Sequence, residues 1–271
     1  MRARTLLLVH AHPDDESLFT GGVIAHYAAL GVRTVLVTCT LGQLGFDSQG
    51  REGWDPDHDA AATAATRAGE LRRAATVLGV DRHVTLGFKD SGMSGWASNA
   101  DPDAFVTADV EATARLLAAV IDQEDAQVVL TYDEHGFYGH PDHVAAHRVT
   151  RRAVELSARA RRLFYPVVPR GVLDEFISRA RDSGVYLPPW ILEAVAETPD
   201  EAVAAVIDVA AVAPIKHRAI AAHASQLDNA DLVAMDEEAF ALLFGREYYQ
   251  LGWERSPSSL ACDDDLFKGL P

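Results

Sequence analysis

Two short segments hold the residues able to do chemistry. His10-Ala-His-Pro-Asp-Asp-Glu16 packs two imidazoles and three carboxylates into seven positions, and Tyr138-Gly-His-Pro-Asp-His143 adds two imidazoles, a phenol and a carboxylate. His12 and Asp15 fall within one turn. His140 and His143 are three apart at an expected helix start, which puts them on one face. Two imidazoles and one carboxylate make a ligand set for Zn²⁺ with a fourth position left to water. Zinc so held lowers the pKa of water from about 15.7 to about 7 and polarises a carbonyl. A base must then take the proton, and Asp14, next to Asp15, is the candidate. His140 and Tyr138 are left to donate to an oxyanion or to orient a leaving amine. This set describes metal-assisted hydrolysis of an amide. Fe²⁺ would accept the same nitrogen and oxygen ligands.

For the two segments to meet, the chain must place them at one edge of a sheet. Residues 5–10 and 33–39 are apolar or β-branched runs, and each reads as a strand buried on both faces. Further strands are expected at 82–87, 126–132 and 162–168. Helices are expected from Ser17, as cap, to about Leu30, then over 59–78, 106–123 and 140–160, with Gly31 and Gly79 as stops. Strands alternating with helices predict an α/β fold with a doubly wound, mainly parallel, Rossmann-like sheet. In the common order 3-2-1-4-5, strands 1 and 4 are neighbours where the winding reverses, and ligands bind in that crevice. Residues 1–168 form the expected catalytic core. Residues 169–271 are expected to complete the same domain with helices and edge strands: a short helix within 170–200, a stretch that also holds Pro188-Pro189, an edge strand at 202–209, a helix from Pro214 to His223, and an exposed tail at Cys262-Asp-Asp-Asp.

Composition narrows the function classes. The 271 residues carry 24 Lys+Arg against 40 Asp+Glu, a formal charge of −16. Nucleic-acid and anionic-membrane binding run on basic side chains, so neither partner is expected. The two cysteines form no CxxC, so a disulfide framework or a cysteine zinc site is not expected. The N-terminus lacks a signal-peptide pattern and no apolar run approaches a bilayer span, which predicts a soluble, cytoplasmic protein. The oligomeric state is left open.

HAHPDDE followed by GHPDH resembles the LmbE/PIG-L zinc deacetylases, and the likeness covers much of residues 5–168. Within that family VHAHPDDESL, VTCTLG, RAGEL, DSGM and YGHPDH are most similar to the deacetylases of the mycothiol pathway, which act on GlcNAc-inositol. The resemblance implies His12, Asp15 and His143 as metal ligands and Asp14 as general base. It implies His140 as oxyanion donor or acid, Asp142 orienting His140, and Tyr138 reaching the substrate carbonyl. Arg67 and Asp90 match sugar-hydroxyl contacts. One segment departs. Gly42-Gln43-Leu44-Gly45-Phe46 is neutral and aromatic where mycothiol-type deacetylases carry acidic residues, so Phe46 is expected to pack on an apolar aglycone. Glu134-His135-Gly-Phe likewise replaces the more usual Asn-Gly lead-in.

The expected activity is removal of an N-acetyl group from a GlcNAc-type amino sugar. Two alternatives stand beside it: an amidase of mycothiol S-conjugates or a natural-product deacetylase, and a catalytically silent sugar-binding protein that keeps the metal. Plainer roles suit the neighbouring residues. His10 is expected to end strand 1 in the core, Glu16 and His223 to be structural, His147 to stand behind the ligands or in solvent, and His58 to be solvated. Cys39 is expected to be a small buried hydrophobe.

Overall fold

The computed structural model describes residues 4–182, 198–256 and 262–270. Strands β1 (Thr5–His10), β2 (Arg33–Thr40), β3 (Arg82–Phe88), β4 (Val128–Leu130), β5 (Arg162–Val167), β6 (Val203–Asp208) and β7 (Arg246–Glu254) form one sheet of order β3-β2-β1-β4-β5-β7-β6. The first five are parallel; β7 runs antiparallel to β5, and β6 antiparallel to β7. The expected order 3-2-1-4-5 is therefore present, with Leu6 and Leu8 of β1 in register with Val128 and Leu130 of β4.

The unbroken apolar run of β1 follows from burial on both faces. Leu7 and Val9 pack on one side with Val35, Val37, Val129 and two helices, α3 (Val110–Gln123) and α4 (Pro141–Leu156). Leu6 and Leu8 pack on the other with Leu36 and Val128, under α1 (Asp15–Ala29) and α2 (Ala60–Leu78). The side chain of Asp59 caps α2 by accepting from the Ala62 amide at 2.9 Å, and Gly79 ends it in the left-handed region at φ 82°.

Three expectations need correction. Helix α1 begins at Asp15, not after Ser17, because the Ser17 hydroxyl donates to Glu16 instead of capping. Strand β7 is unforeseen. It lies between β5 and the expected edge strand β6, so the C-terminal third widens the sheet. The acidic tail is only partly exposed: Asp263 bridges to Ala205, and Leu266 and Phe267 just after it are buried under α1. Helix α6 (Ala213–Ala221) has the expected proline in its first turn, and α5 (Arg170–Asp182) precedes it in the chain. Pro188-Pro189 lies outside the described residues.

Candidate active site

Four neighbouring strands deliver the chemistry to one edge of the sheet. β1 ends at His10 and releases His12–Glu16; β4 ends at Leu130 and releases Tyr132 to His143. β3 ends at Phe88 just before Asp90 and Ser91, and β2 at Thr40 before the loop holding Phe46. A turn over 136–139 sets the second segment. Gly136 (φ 69°), Phe137 (φ 64°) and Gly139 (φ 86°) all lie in the left-handed region, and α4 then starts at Pro141 with His140 at its cap.

The three histidines of the cluster are sorted by their hydrogen bonds. His143 is fully buried, and its Nδ1–H donates to the Gly136 carbonyl at 3.1 Å. Its Nε2 therefore carries the lone pair, and that buried atom has no hydrogen-bond partner. His12 donates from Nε2 to Asp142 Oδ2 at 3.2 Å, with Asp90 Oδ1 at 3.6 Å, which leaves the lone pair on Nδ1. The Asp15 carboxylate lies 3.4 Å from His12 Nδ1 and 3.4 Å from His143 Nε2. Three acceptors thus face one another in a buried space, an arrangement that calls for a cation between them. His140 is opposite in kind. Its Nδ1 accepts from the Asp142 amide at 3.1 Å, so the neutral ring carries its proton on Nε2. Burial, together with His12 and His143 nearby, holds its pKa well below the usual histidine value.

By proximity alone two groups of the described residues can hold a metal ion. They are His12, His140 and His143, and His12, Asp90 and Asp142. Neither group includes Asp15, yet its carboxylate faces the lone pairs of His12 Nδ1 and of the orphaned His143 Nε2, and these three side chains make a donor set that fits a divalent ion.

Asp14 stands at the N-cap position of α1, yet its side chain makes no capping bond. Its carboxylate lies 3.2 Å from the Arg67 guanidinium. Burial, with Asp15 adding to it and Arg67 opposing, pushes its pKa up to about 6. Asp14 holds a φ of 106°, rare for a residue other than glycine. Its amide is tied to Glu16 Oε2 at 3.0 Å, and Glu16 Oε1 is bound by His223 Nε2 at 2.8 Å with both side chains fully buried.

Residues 7–154 match the PIG-L family, described as GlcNAc-PI de-N-acetylase. A 1D-myo-inositol 2-acetamido-2-deoxy-alpha-D-glucopyranoside deacetylase of Thermomonospora curvata is 41% identical over 297 residues, covering 99% of this chain and 97% of that protein. The chain belongs to the PIG-L family. Among solved structures, N,N'-diacetylchitobiose deacetylase from Pyrococcus horikoshii is 19% identical with a TM-score of 0.56, covering 92% of this chain and 84% of that one. GalB, the 4-carboxy-2-hydroxymuconate hydratase of Pseudomonas putida KT2440, is 20% identical with a TM-score of 0.61, covering 95% and 100%. A fold shared with a hydratase does not fix chemistry; the site must.

The segment that matches the PIG-L family carries every candidate catalytic, ligand and substrate-contact residue named from the sequence, and most of them converge. Tyr138 sets its ring 4.9 Å from that of His143 and 6.1 Å from that of His140. Burial and the carboxylates of Asp15, Asp14 and Asp90 hold its phenol protonated. Asp142 departs from the expected role: only its amide meets His140, while its carboxylate accepts from His12 and from the amide and hydroxyl of Ser91. Asp90 accepts from the Gly92 amide at 2.8 Å and the Leu44 amide at 3.1 Å, and His12 beside it keeps it ionised against burial. Arg67 is buried and donates to the carbonyls of Gly42 and Pro13, with its Nε unpartnered. Phe46 is half-buried, and only its carbonyl has a described bond, from Gln226 at 3.3 Å.

His10 is a core residue, bonded to Thr20 at 2.8 Å and pushed down to about 4 by burial. His147 bonds the Tyr132 carbonyl. His58, expected in solvent, is half-buried and pins the long loop through the Gly45 carbonyl at 2.9 Å. Sequence reasoning missed Ser91 and Tyr132. The available signal was position alone, since each lies a few residues beyond the carboxyl end of a strand that feeds the crevice.

Proposed function

We propose that this chain is a zinc-dependent hydrolase that removes the N-acetyl group of a GlcNAc-type amino sugar, of the GlcNAc-inositol class, and releases acetate. The observation that carries the reading is the convergence of His12 Nδ1, the Asp15 carboxylate and His143 Nε2, with the Asp14 carboxylate beside them and not used as a cap. These three residues are the proposed zinc ligands. His140 is not one of them, because its Nδ1 is taken by the Asp142 amide and its Nε2 carries a proton. A divalent ion there supplies Lewis acidity, polarising the acetyl carbonyl and acidifying water.

The chain's own groups do the rest. Asp14 takes the proton of the attacking water: its carboxylate adjoins the ligand Asp15 and is not spent as a helix cap. Arg67 holds that carboxylate in place at 3.2 Å. The Nε2–H of His140 and the phenol of Tyr138 donate to the oxyanion as the carbonyl carbon becomes tetrahedral, a contribution of about 10²–10³ in rate per donor. Collapse of that carbon breaks the C–N bond, the acyl part leaves as acetate, and the proton held by Asp14 passes to the departing amine. Asp142 and Asp90 fix the ring of His12 through its Nε2–H.

A second reading keeps the chemistry and changes the aglycone. The buried Oε1 of Gln43 has no partner, and Phe46 is half-buried, where an acidic contact to inositol would stand. An apolar aglycone, as in a mycothiol S-conjugate or a glycosylated natural product, suits these side chains. One assay separates the readings: acetate release from a GlcNAc-inositol glycoside and amine release from a mycothiol S-conjugate, with zinc quantified in the same protein. Preferential acetate release supports the first reading, and preferential cleavage of the conjugate supports the second. Zinc-loaded protein that binds GlcNAc glycosides and hydrolyses none would leave only a sugar-binding protein.

A further inference from the structure

Tyr132 follows β4 directly and is fully buried. Its hydroxyl donates to Asp15 Oδ2 at 2.6 Å and accepts from the Ala11 amide at 2.8 Å. His10 Nδ1 lies 3.3 Å from the same oxygen. The Tyr132 ring stacks on that of His143, with centroids 4.0 Å apart and planes 10° from parallel. Phe19 closes on both rings edge-on, at 5.8 Å from Tyr132 and 5.9 Å from His143.

We infer that Tyr132 is a positioning residue for the metal site, holding Asp15 by its hydroxyl and His143 by its ring face, so that one side chain sets the spacing between two ligands from segments that follow different strands. The inference rests on the ligand set proposed above. The geometry makes the assignment specific. Asp15 comes from the β1 loop and His143 from the helix after β4, and no backbone hydrogen bond between those two segments fixes one against the other at the ligands. The Ala11 amide anchors the phenol to the β1 side, while its backbone lies two residues past the end of β4. The phenol consumes one of the two Asp15 oxygens, so Oδ1 is the atom left facing His143 Nε2. The stacked ring blocks rotation of the His143 imidazole about its long axis, while the Gly136 carbonyl fixes its tautomer. Partners of this kind are worth about 10–100-fold in metal affinity.

The test is the zinc dissociation constant, measured by chelator competition on Tyr132→Phe and Tyr132→Leu, alongside the melting temperature of each protein with and without zinc. Tyr132→Phe keeps the stacked ring and loses the bond to Asp15, and the expected result is a 10–100-fold weaker constant with a smaller zinc-induced rise in melting temperature. Tyr132→Leu removes both contacts and is expected to weaken zinc further. If the Leu variant does not fold, the Phe variant decides alone. An unchanged constant in Tyr132→Phe, with the metal-free and zinc-bound melting temperatures lowered equally, overturns the inference, because that is the signature of a core tyrosine. His143→Ala tests the underlying ligand set separately. Wild-type zinc affinity in that variant would refute the ligand assignment, whatever Tyr132 does.

Discussion

Asp14 stores backbone strain that its side chain does not relieve. A φ of 106° costs on the order of 1–3 kcal/mol for a residue with a Cβ, and the Glu16 carboxylate bound to its amide offsets part of that cost. The arrangement turns the Asp14 carboxylate away from the helix start and toward Arg67. Asp14→Asn keeps the shape and removes the base, so kcat should fall about 10²–10⁴-fold while zinc content stays at the wild-type level; undiminished acetate release would remove Asp14 from its role. His143→Ala should lose zinc outright, as read by metal analysis after dialysis, because it takes away the ring nitrogen whose only suitable partner is a cation. The two variants together separate metal binding from proton transfer, two functions that the adjacent residues Asp15 and Asp14 bring into one turn.

At the scale of elements, the turn over 136–139 decides whether the two segments meet correctly. The Gly136 carbonyl fixes the tautomer of His143, and Gly136 itself sits at φ 69°, where an added Cβ would lie 2.8 Å from the His143 Cβ and 2.9 Å from the Val144 amide nitrogen. Gly136→Ala therefore meets both backbone strain and overpacking, each about 1–3 kcal/mol. It should lower the melting temperature and weaken zinc, measured by thermal denaturation and chelator competition; a variant with native zinc affinity would show that the turn does not set the ligand. The elements themselves were largely legible. Leu6–Val9 and the β-branched run of β2 announce central strands because burial on both faces leaves no polar alternation, and that fixes which loops share the crevice. Strand β7 was not legible. Its residues Arg246-Glu-Tyr-Tyr-Gln-Leu-Gly-Trp-Glu254 mix charge and aromatics, because Glu247 is buried as an ionic hub and not turned to water. Side-chain pairings across the sheet, such as Tyr132 with Asp15, carry no local pattern at all, since the partners are 117 positions apart.

For the whole molecule, the C-terminal third supports a site whose chemistry lies in the first 143 residues. Glu247 accepts from the amides of Gly22 and Val23, from Lys216 and from Tyr249, which ties α1, α6 and β7 together in the core. His223, just past α6, completes the buried pair with Glu16 that holds the Asp14 amide. Burial disfavours both charges, but each raises the ionised fraction of the other: Glu16 is held below the usual carboxylate range and His223 above the usual histidine value. His223→Ala leaves Glu16 buried and unpaired, so stability should drop by about 3–5 kcal/mol in denaturant unfolding, and kcat should fall with it because the base loses its anchor. Metal removal acts on the same folded state through a different route. A cation that binds only the folded chain stabilises it by about 4 kcal/mol when present at 1,000 times its dissociation constant. For a chain of this length the unfolding entropy near the midpoint is on the order of 0.6 kcal/mol/K, so a chelator should lower the melting temperature by about 7 °C. The shift should vanish in His143→Ala, which has no ion to lose, and persist in Asp14→Asn, which keeps it. A chelator effect of equal size in His143→Ala would mean that the stabilising ion sits elsewhere in the fold and that the converging acceptors at the sheet edge are not its ligands.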